Sequence, residues 1–462
     1  MRFPKIALAS AVVMLAAACG GGSEDGGSGG APDSLTVWVM GTAQDELVNY
    51  FDDAESRFQD LYPGTSVNVE FIPWGDAQES ITNAIAGGDA PDVLEVGNDQ
   101  VSSWASQGAL LDIGEYVDEW APSKDMDQEA LEYGTYNGVQ YGVPWFSGVR
   151  TLYYRSDWLE ELGHDAPETW DELLEVSQAI EEEYGVPGFA APTDFTNGIA
   201  SFIWGNGGEI AVQDGEEWTG RLTDPATVEA VEFYADLTAE HEISPQSYVG
   251  ENELVPLADM ANSQVGMYID GGWALGSMEE QAEDPEVLEN IASAPIPGAD
   301  GIAPVFAGGS ALTVFGLTEH PEQAFDLLGV LGDQEGGKAY ADVAGFFPAY
   351  PELLEADEYQ NDPERAAAAT SMQNTRFFPS TPRWNAADLD NKILPGAVLD
   401  IVRGGDPEEV LEAANEHHVT VLDRERGGPV NLGRGVRRRG TDRGPSGVGR
   451  RERGELERGV RA

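Results

Sequence analysis

Between Leu35 and Val96 the chain alternates strand and helix, and that alternation limits the fold more than any other feature. Leu35-Thr36-Val37-Trp38-Val39 reads as a first strand. Leu47, Tyr50, Phe51, Ala54, Phe58 and Leu61 then recur at helical spacing, and Pro63-Gly64 stops the helix. Val67 to Ile72 alternates as a second strand. A helix over Ala77–Ala86 ends at Gly87-Gly88, and Asp92 to Val96 is a third strand. Strand, helix, strand, helix, strand implies a parallel sheet with covering helices. Ligands of such sheets gather at the carboxyl ends of the strands. Trp74 and Asn98-Asp99 lie just past the second and third strands, on that rim.

Further helices announce their ends. Thr169-Trp170-Asp171-Glu172 fits a capping box for a helix to Tyr184. Asp224-Pro225 supplies an N-cap and a first-turn proline for a helix to Glu240. His320-Pro321 opens one through Leu331, and Pro407 opens one whose pattern fades near His418.

The first 34 residues are of another kind. Arg2 and Lys5 precede Ile6–Ala18, an apolar run of signal-peptide length and too short to span a bilayer. Leu15-Ala16-Ala17-Ala18 leads into Cys19, the only cysteine, followed by a Gly/Ser-rich coil. This resembles a bacterial lipoprotein signal, which implies a lipid on Cys19 and a tether over 19–34. The alternative is an ordinary signal cleaved after Ala18. Both readings export the body without a disulfide.

The chain carries 83 acidic and 25 basic residues. Such a surface repels phosphate backbones, so nucleic acid is set aside as a partner. Eleven Trp separate the chain from disordered acidic sequences. The acids are spread along the body, which suits a solvated, salt-adapted surface; cation binding stays open. Residues 421–462 reverse the pattern, with 12 Arg, ten Gly and no aromatic. They read as a basic tail without a core, either an arm for anionic cell-wall polymer or the product of a reading-frame slip.

Six motifs in order carry a resemblance over residues 35–420. They are Gly88-Asp89-Ala90-Pro91-Asp92-Val93, Asn98-Asp99 with Gly108–Ile113, and Tyr141–Trp145 with Leu152–Arg155. Pro167–Leu173, Gly266–Trp273, and Gly308-Gly309-Ser310 with Ala324–Leu328 complete the set. The chain resembles the extracellular solute-binding proteins of sugar ABC importers, the family that includes maltose-binding protein. The resemblance implies a two-lobed periplasmic-binding-protein-like α/β fold. Each lobe is expected to be a mostly parallel sheet with helices on both faces, and the ligand cleft lies between them. Lobe 1 is expected over 35–146 and 306–355, lobe 2 over 147–305 and 356–420. Crossings are expected near Pro144–Arg150, Pro304–Gly309 and Tyr350–Asp362. It also implies a monomer, a sugar or oligosaccharide ligand, a permease partner, and membrane contact through the N-terminal lipid alone. No cofactor is implied.

A pyranose presents an apolar face to aromatic rings and an edge of hydroxyls to Asp, Asn and Arg. By the resemblance, Trp273 is a stacking ring, Trp384 a second one, and Asp99 a hydroxyl acceptor. Trp145 and Phe146 fall on a crossover, and Phe346 falls where the family places a ligand-side loop. Trp74, Trp204 and Asn98 are further candidates. Each ring has a plain alternative as core packing. Arg150 is a hydroxyl donor or one half of an ion pair. Asp270 is a hydroxyl acceptor or the cap of the Trp273 turn. The five histidines show no metal-ligand spacing, and no nucleophile or phosphate-loop motif occurs. A binding protein rather than an enzyme is therefore expected. A surface glycosidase or lyase, and a binder of a cationic solute such as a polyamine, are the competing readings.

Overall fold

The computed structural model describes residues 32–87, 90–214, 217–356, 359 and 365–423. The signal segment 1–18, Cys19, the tether up to Ala31, Gly88-Asp89, residues 357, 358 and 360–362 of the third expected crossing and the tail from Arg424 lie outside the described residues.

The opening alternation folds as β1 (Ser34–Met40), α1 (Asp45–Leu61), β2 (Ser66–Ile72), α2 (Trp74–Gly87) and β3 (Val93–Gly97), followed by α3 (Val101–Ser106). β1 pairs in parallel with β2 and β3. Alternate β1 residues face opposite ways. Leu35, Val37 and Val39 meet Tyr50, Phe51 and Phe58 of α1, while Trp38 and Met40 meet Ile81 of α2 and Val101 of α3. Each fully buried large apolar side chain here contributes about 1.5–3 kcal/mol of transfer free energy. α1 stops at Tyr62, and Gly64 turns the chain with φ +92°.

After β4 (Gly142–Gly148) only Val149 precedes β5 (Arg150–Arg155), yet the two strands belong to different sheets. The chain thus passes from lobe 1 to lobe 2 within one residue. Lobe 2 holds α4 (Trp170–Tyr184), α5 (Thr196–Gly205), α6 (Pro225–Ala239), β6 (Met267–Gly271) and β7 (Ile291–Ala294). β8 (Gly308–Val314) then returns to the first sheet, followed by α7 (Pro321–Gly332), α8 (Gln334–Ala344) and β9 (Phe347–Pro348). Lobe 2 resumes through α9 (Ile393–Val402) and α10 (Pro407–Leu422).

The two-lobed α/β architecture is the expected one; strand direction differs in detail. The first sheet has the order β9-β4-β8-β3-β1-β2. β8 is antiparallel to β3 and β4, and β9 is antiparallel to β4. The second sheet, β6-β5-β7, is antiparallel throughout. β8 enters the first sheet at the carboxyl ends of β3 and β4, and so runs against both.

Thr169 caps α4 through a capping box, as its motif predicts. Asp224 precedes α6, but its carboxyl makes no capping bond; Thr227 N–H donates to its backbone oxygen instead. α10 runs past His418 to Leu422. Val421 and Leu422 are buried against Ala211, Ala387 and Ile393, so the first residues of the expected tail are part of the fold.

Candidate functional site

The strand ends bring the site together. β1, β3 and β4 finish at one edge of the first sheet, and β8 begins there. β5 starts and β6 finishes at the facing edge of lobe 2, where Gly271 pairs with Arg150. Past β3, Asn98 Nδ2 donates to Ala307 O at 2.8 Å, tying the rim to the second crossing. Its Oδ1 is buried and has no partner. Asp99 is half-buried, and its carboxyl folds back over Gly97, where a Cβ would sit 2.7 Å from Oδ1. Burial pushes Asp99 up to about 6, against the pull of its own backbone N–H, the Trp384 indole and the Arg150 charge.

Glycines shape the wall carrying Trp273. Its ring lies on Gly271, where a Cβ would come within 2.1 Å of it. Gly148 admits Phe346 in the same way, and Gly272 meets the Gly345 carbonyl of lobe 1, 2.6 Å from where its Cβ would be. Trp273 is half-buried, 5.8 Å from Phe346. Phe346 is half-buried and stacks on Phe146 at 4.3 Å.

Arg150 carries out the ion-pair reading, and more. Its guanidinium lies 5.1 Å from the Trp273 ring and 5.6 Å from Phe195, a cation–π arrangement. Nη2 is 3.5 Å from Glu253 Oε1, and with the Asn197 amide turned to satisfy both groups its oxygen accepts from Nη2 at 2.9 Å. Nε has no partner.

Several expected ligand contacts are corrected by burial. Asp270 is 0% exposed. Oδ1 accepts from Gly271 N–H at 2.7 Å and Oδ2 from the Tyr268 hydroxyl at 3.3 Å, so it holds the turn beneath Trp273. Burial and the neighbouring Glu253 push it up to about 7. Trp145 is 0% exposed, stacked on Tyr340 at 3.8 Å, and donates Nε1–H to Leu331 O. Phe146 is buried between Tyr340 and Phe346. Trp204 is buried against Phe378 and donates to Glu209. Trp384 is 2% exposed, in a stack with Phe378 at 4.6 Å, which itself stacks on Phe306 at 4.3 Å. Only its indole N–H edge reaches the site; it lies near the Asp99 carboxyl without closing a hydrogen bond. In each case the strand or helix turns the ring towards a core, where it buries more apolar area than a sugar face would cover. Trp74, by contrast, is 48% exposed on the first turn of α2.

Lobe 1 meets the segment 377–390 of lobe 2 through three bonds. Ser103 Oγ donates to Pro382 O at 3.0 Å, the Tyr133 hydroxyl to Phe378 O at 3.1 Å, and Gln78 Nε2 to Asp390 at 3.2 Å. Gln78 is one helical turn beyond Trp74, which puts Trp74 on the rim. This segment also brings in Asp388, which no sequence motif marks. It lies in the π-helical turn Ala386–Asp390 and accepts from the Thr196 hydroxyl. Burial and the Asp99 charge push it up to about 7. Phe195, Asn197, Glu253 and Tyr133 are likewise unmarked in the sequence. None stands in a spacing that signals a site, because Arg150 and Asp99 collect them from distant stretches. Asp388 alone sits near a singled-out residue, four positions after Trp384.

Comparison with known proteins agrees with this fold. Residues 41–338 match the family model described as bacterial extracellular solute-binding protein. The diacetylchitobiose binding protein DasA of Streptomyces coelicolor is 28% identical over 402 residues, covering 83% of this chain and 88% of that protein. An ABC transporter solute-binding protein from Thermotoga lettingae, bound with α-D-tagatose, superposes with a TM-score of 0.74 at 22% identity, over 85% of this chain and all of that one. The acarbose-binding GacH receptor of Streptomyces glaucescens gives 0.71 at 19% identity, over 84% and 98%.

Proposed function

The chain belongs to the bacterial extracellular solute-binding protein family, and from that premise we propose that its cleft captures a sugar or oligosaccharide for an ABC importer. The observation that carries this reading is the half-buried Trp273 ring, presented on a glycine turn beside Arg150, whose charge also acts on the half-buried Asp99. Ring, guanidinium and carboxyl are the three groups a pyranose needs: a cover for its C–H face, a hydroxyl-binding donor and a hydroxyl-binding acceptor. Phe346, 5.8 Å from Trp273, extends the aromatic surface, and the exposed Trp74 is a further ring; several aromatics favour more than one sugar unit.

Capture works by differential affinity. A ligand held by Asp99 on lobe 1 and by Trp273 and Arg150 on lobe 2 favours the closed arrangement by the free energy of the contacts it gains there. The closed surface is what a permease reads. Cys19 carries the lipid that keeps the protein, as a monomer, on the outer face of the membrane. A cationic solute is the second reading, supported by the half-buried carboxyls of Asp99 and Asp388; Arg150 adds a fixed positive charge that weighs against a small polycation.

Titrating Trp fluorescence of the purified protein with oligosaccharides and polyamines tests these readings. Saturable binding of a saccharide without its consumption is expected. Polyamine binding alone moves the function to the carboxyls, and breakdown of the sugar means an enzyme. Cys19→Ser is expected to release the protein from the membrane fraction.

A further inference from the structure

The two ends of the seam between the lobes are built differently. In the first sheet the strands that carry the crossings, β9, β4 and β8, fill one end of the order, and β2 lies at the other. At the crossing end the lobes are joined by the chain itself and by Asp342 of α8. Its carboxyl accepts from the hydroxyl of Tyr359, which packs in the lobe 2 core, and from Arg365 Nη1. Away from that end the contacts are the bonds to segment 377–390. Ser103 of α3, past β3, reaches Pro382 O, and Tyr133, at the end of the short helix Gln128–Tyr133, reaches Phe378 O. Gln78 of α2, past β2, reaches Asp390. A rotation about the crossings separates facing residues in proportion to their distance from the axis, so these are the bonds that opening breaks.

Both sides of this seam are held in place. Leu131 packs the helix of Tyr133 on the lobe 1 core, and Val101 and Trp104 anchor α3. The Tyr133 ring lies 4.6 Å from Phe377. Across the seam, Phe378 and Trp384 are stacked in the lobe 2 core. Between them Thr381 N–H donates to Pro379 O and Trp384 N–H to Thr381 O, each at 2.9 Å, so the turn presents its carbonyls at fixed places. A Ser or Tyr hydroxyl has one hydrogen to give, and here each gives it to a carbonyl rather than to a ligand.

We propose that Tyr133, Ser103 and Gln78 form a clasp: positioning residues that favour the closed lobes without holding the ligand, so that lobe 1's grip on segment 377–390 sets part of the cleft's affinity. The inference takes its ligand from the saccharide reading above. An apparent dissociation constant is the intrinsic one divided by the fraction of protein in the competent state. A clasp residue therefore scales the affinity for every ligand alike, whereas a ligand contact changes the ranking among ligands.

Calorimetric titration with maltotriose and N,N′-diacetylchitobiose, together with small-angle X-ray scattering of the purified protein alone, tests it on the parent and on the double variant Tyr133→Phe/Ser103→Ala. Both saccharides should weaken by one common factor, about fivefold for each lost bond, and the radius of gyration of the protein alone should rise. Thr169→Ala, which loosens α4 of lobe 2, should change neither reading. Unchanged affinities overturn the inference, and so do factors that differ between the two saccharides, since these would make the residues ligand contacts. If the parent binds neither saccharide, that tells against the saccharide reading, and scattering decides the clasp by itself: a larger radius in the variant upholds it and an equal one overturns it.

Discussion

Trp273 stands beside Arg150 and Trp384 beside Asp99, and the two rings are held in opposite ways. Trp273 rests on glycines. Gly271 and Gly148 leave room for rings but give them nothing to interlock with, so one ring stays half-buried under a guanidinium. Trp384 is clamped in a stack with Phe378 and Phe306 and met edge-on by His418. A glycine turn thus presents a ring to a ligand, whereas an aromatic stack consumes the ring's faces and spares only its N–H edge. The groups beneath the two rings differ as well. Asp270 under Trp273 is a buried carboxyl pushed up to about 7, and His418 beside Trp384 is a buried imidazole pushed down to about 4.

The largest effect that tests this contrast is on stability. Trp384→Ala should cost about 3–5 kcal/mol by removing the centre of a packed stack. Urea unfolding reads it directly, and a smaller loss than that of Trp273→Ala would break the comparison. Affinity should show the reverse order. Trp273→Ala should weaken saccharide binding by about 2 kcal/mol or more, as for a buried aromatic anchor. Unchanged affinity in the titration would remove Trp273 from the site.

The two titrating groups sharpen the contrast through pH. Asp270 has a raised folded-state pKa. Its stabilising contribution is complete below the unfolded-state value and is lost as pH rises through about 7. His418 has a depressed one, so its contribution is present above the unfolded-state value and is lost as pH falls through about 4. Between neutral pH and pH 5 each is worth about 2 kcal/mol, with opposite signs. Denaturation at the two pH values should therefore show Asp270→Asn losing stability on acidification relative to the parent, and His418→Phe gaining it. If both variants track the parent, neither group is titrating in the fold.

The smallest effect provides the baseline. Thr169→Ala removes the capping box of α4 and should cost about 1 kcal/mol. It should leave saccharide affinity untouched. A fall in affinity would mean that loss of stability in lobe 2 alone mimics a site variant, and the Trp273 result would have to be read against it.

Much of the scaffold is legible in the sequence, and for a local reason. β1 to β3, α1 and α2 follow from residue periodicity, and α4 from a four-residue cap, because hydrogen bonds within a turn or along a strand depend on neighbours in sequence. The ordered motifs mark the family and contain Asp99 and Trp273, and the resemblance adds Phe346; all three are half-buried in the structure. The sequence also singles out Trp145, Phe146, Trp204 and Asp270, and the fold buries all four. A ring next to a crossing has two sides to face, and its own motif does not say which.

Local pattern and composition by themselves determined a strongly acidic α/β body, and the resemblance carried by the ordered motifs supplied its two lobes. Tertiary structure decided which rings remain open, which carboxyls lose water and which cations are already engaged. Those outcomes depend on pairs such as Thr196 with Asp388, or Arg150 with Glu253, that lie far apart along the chain. Their energies come from burial and charge at short range, which no stretch of sequence contains until the lobes are folded.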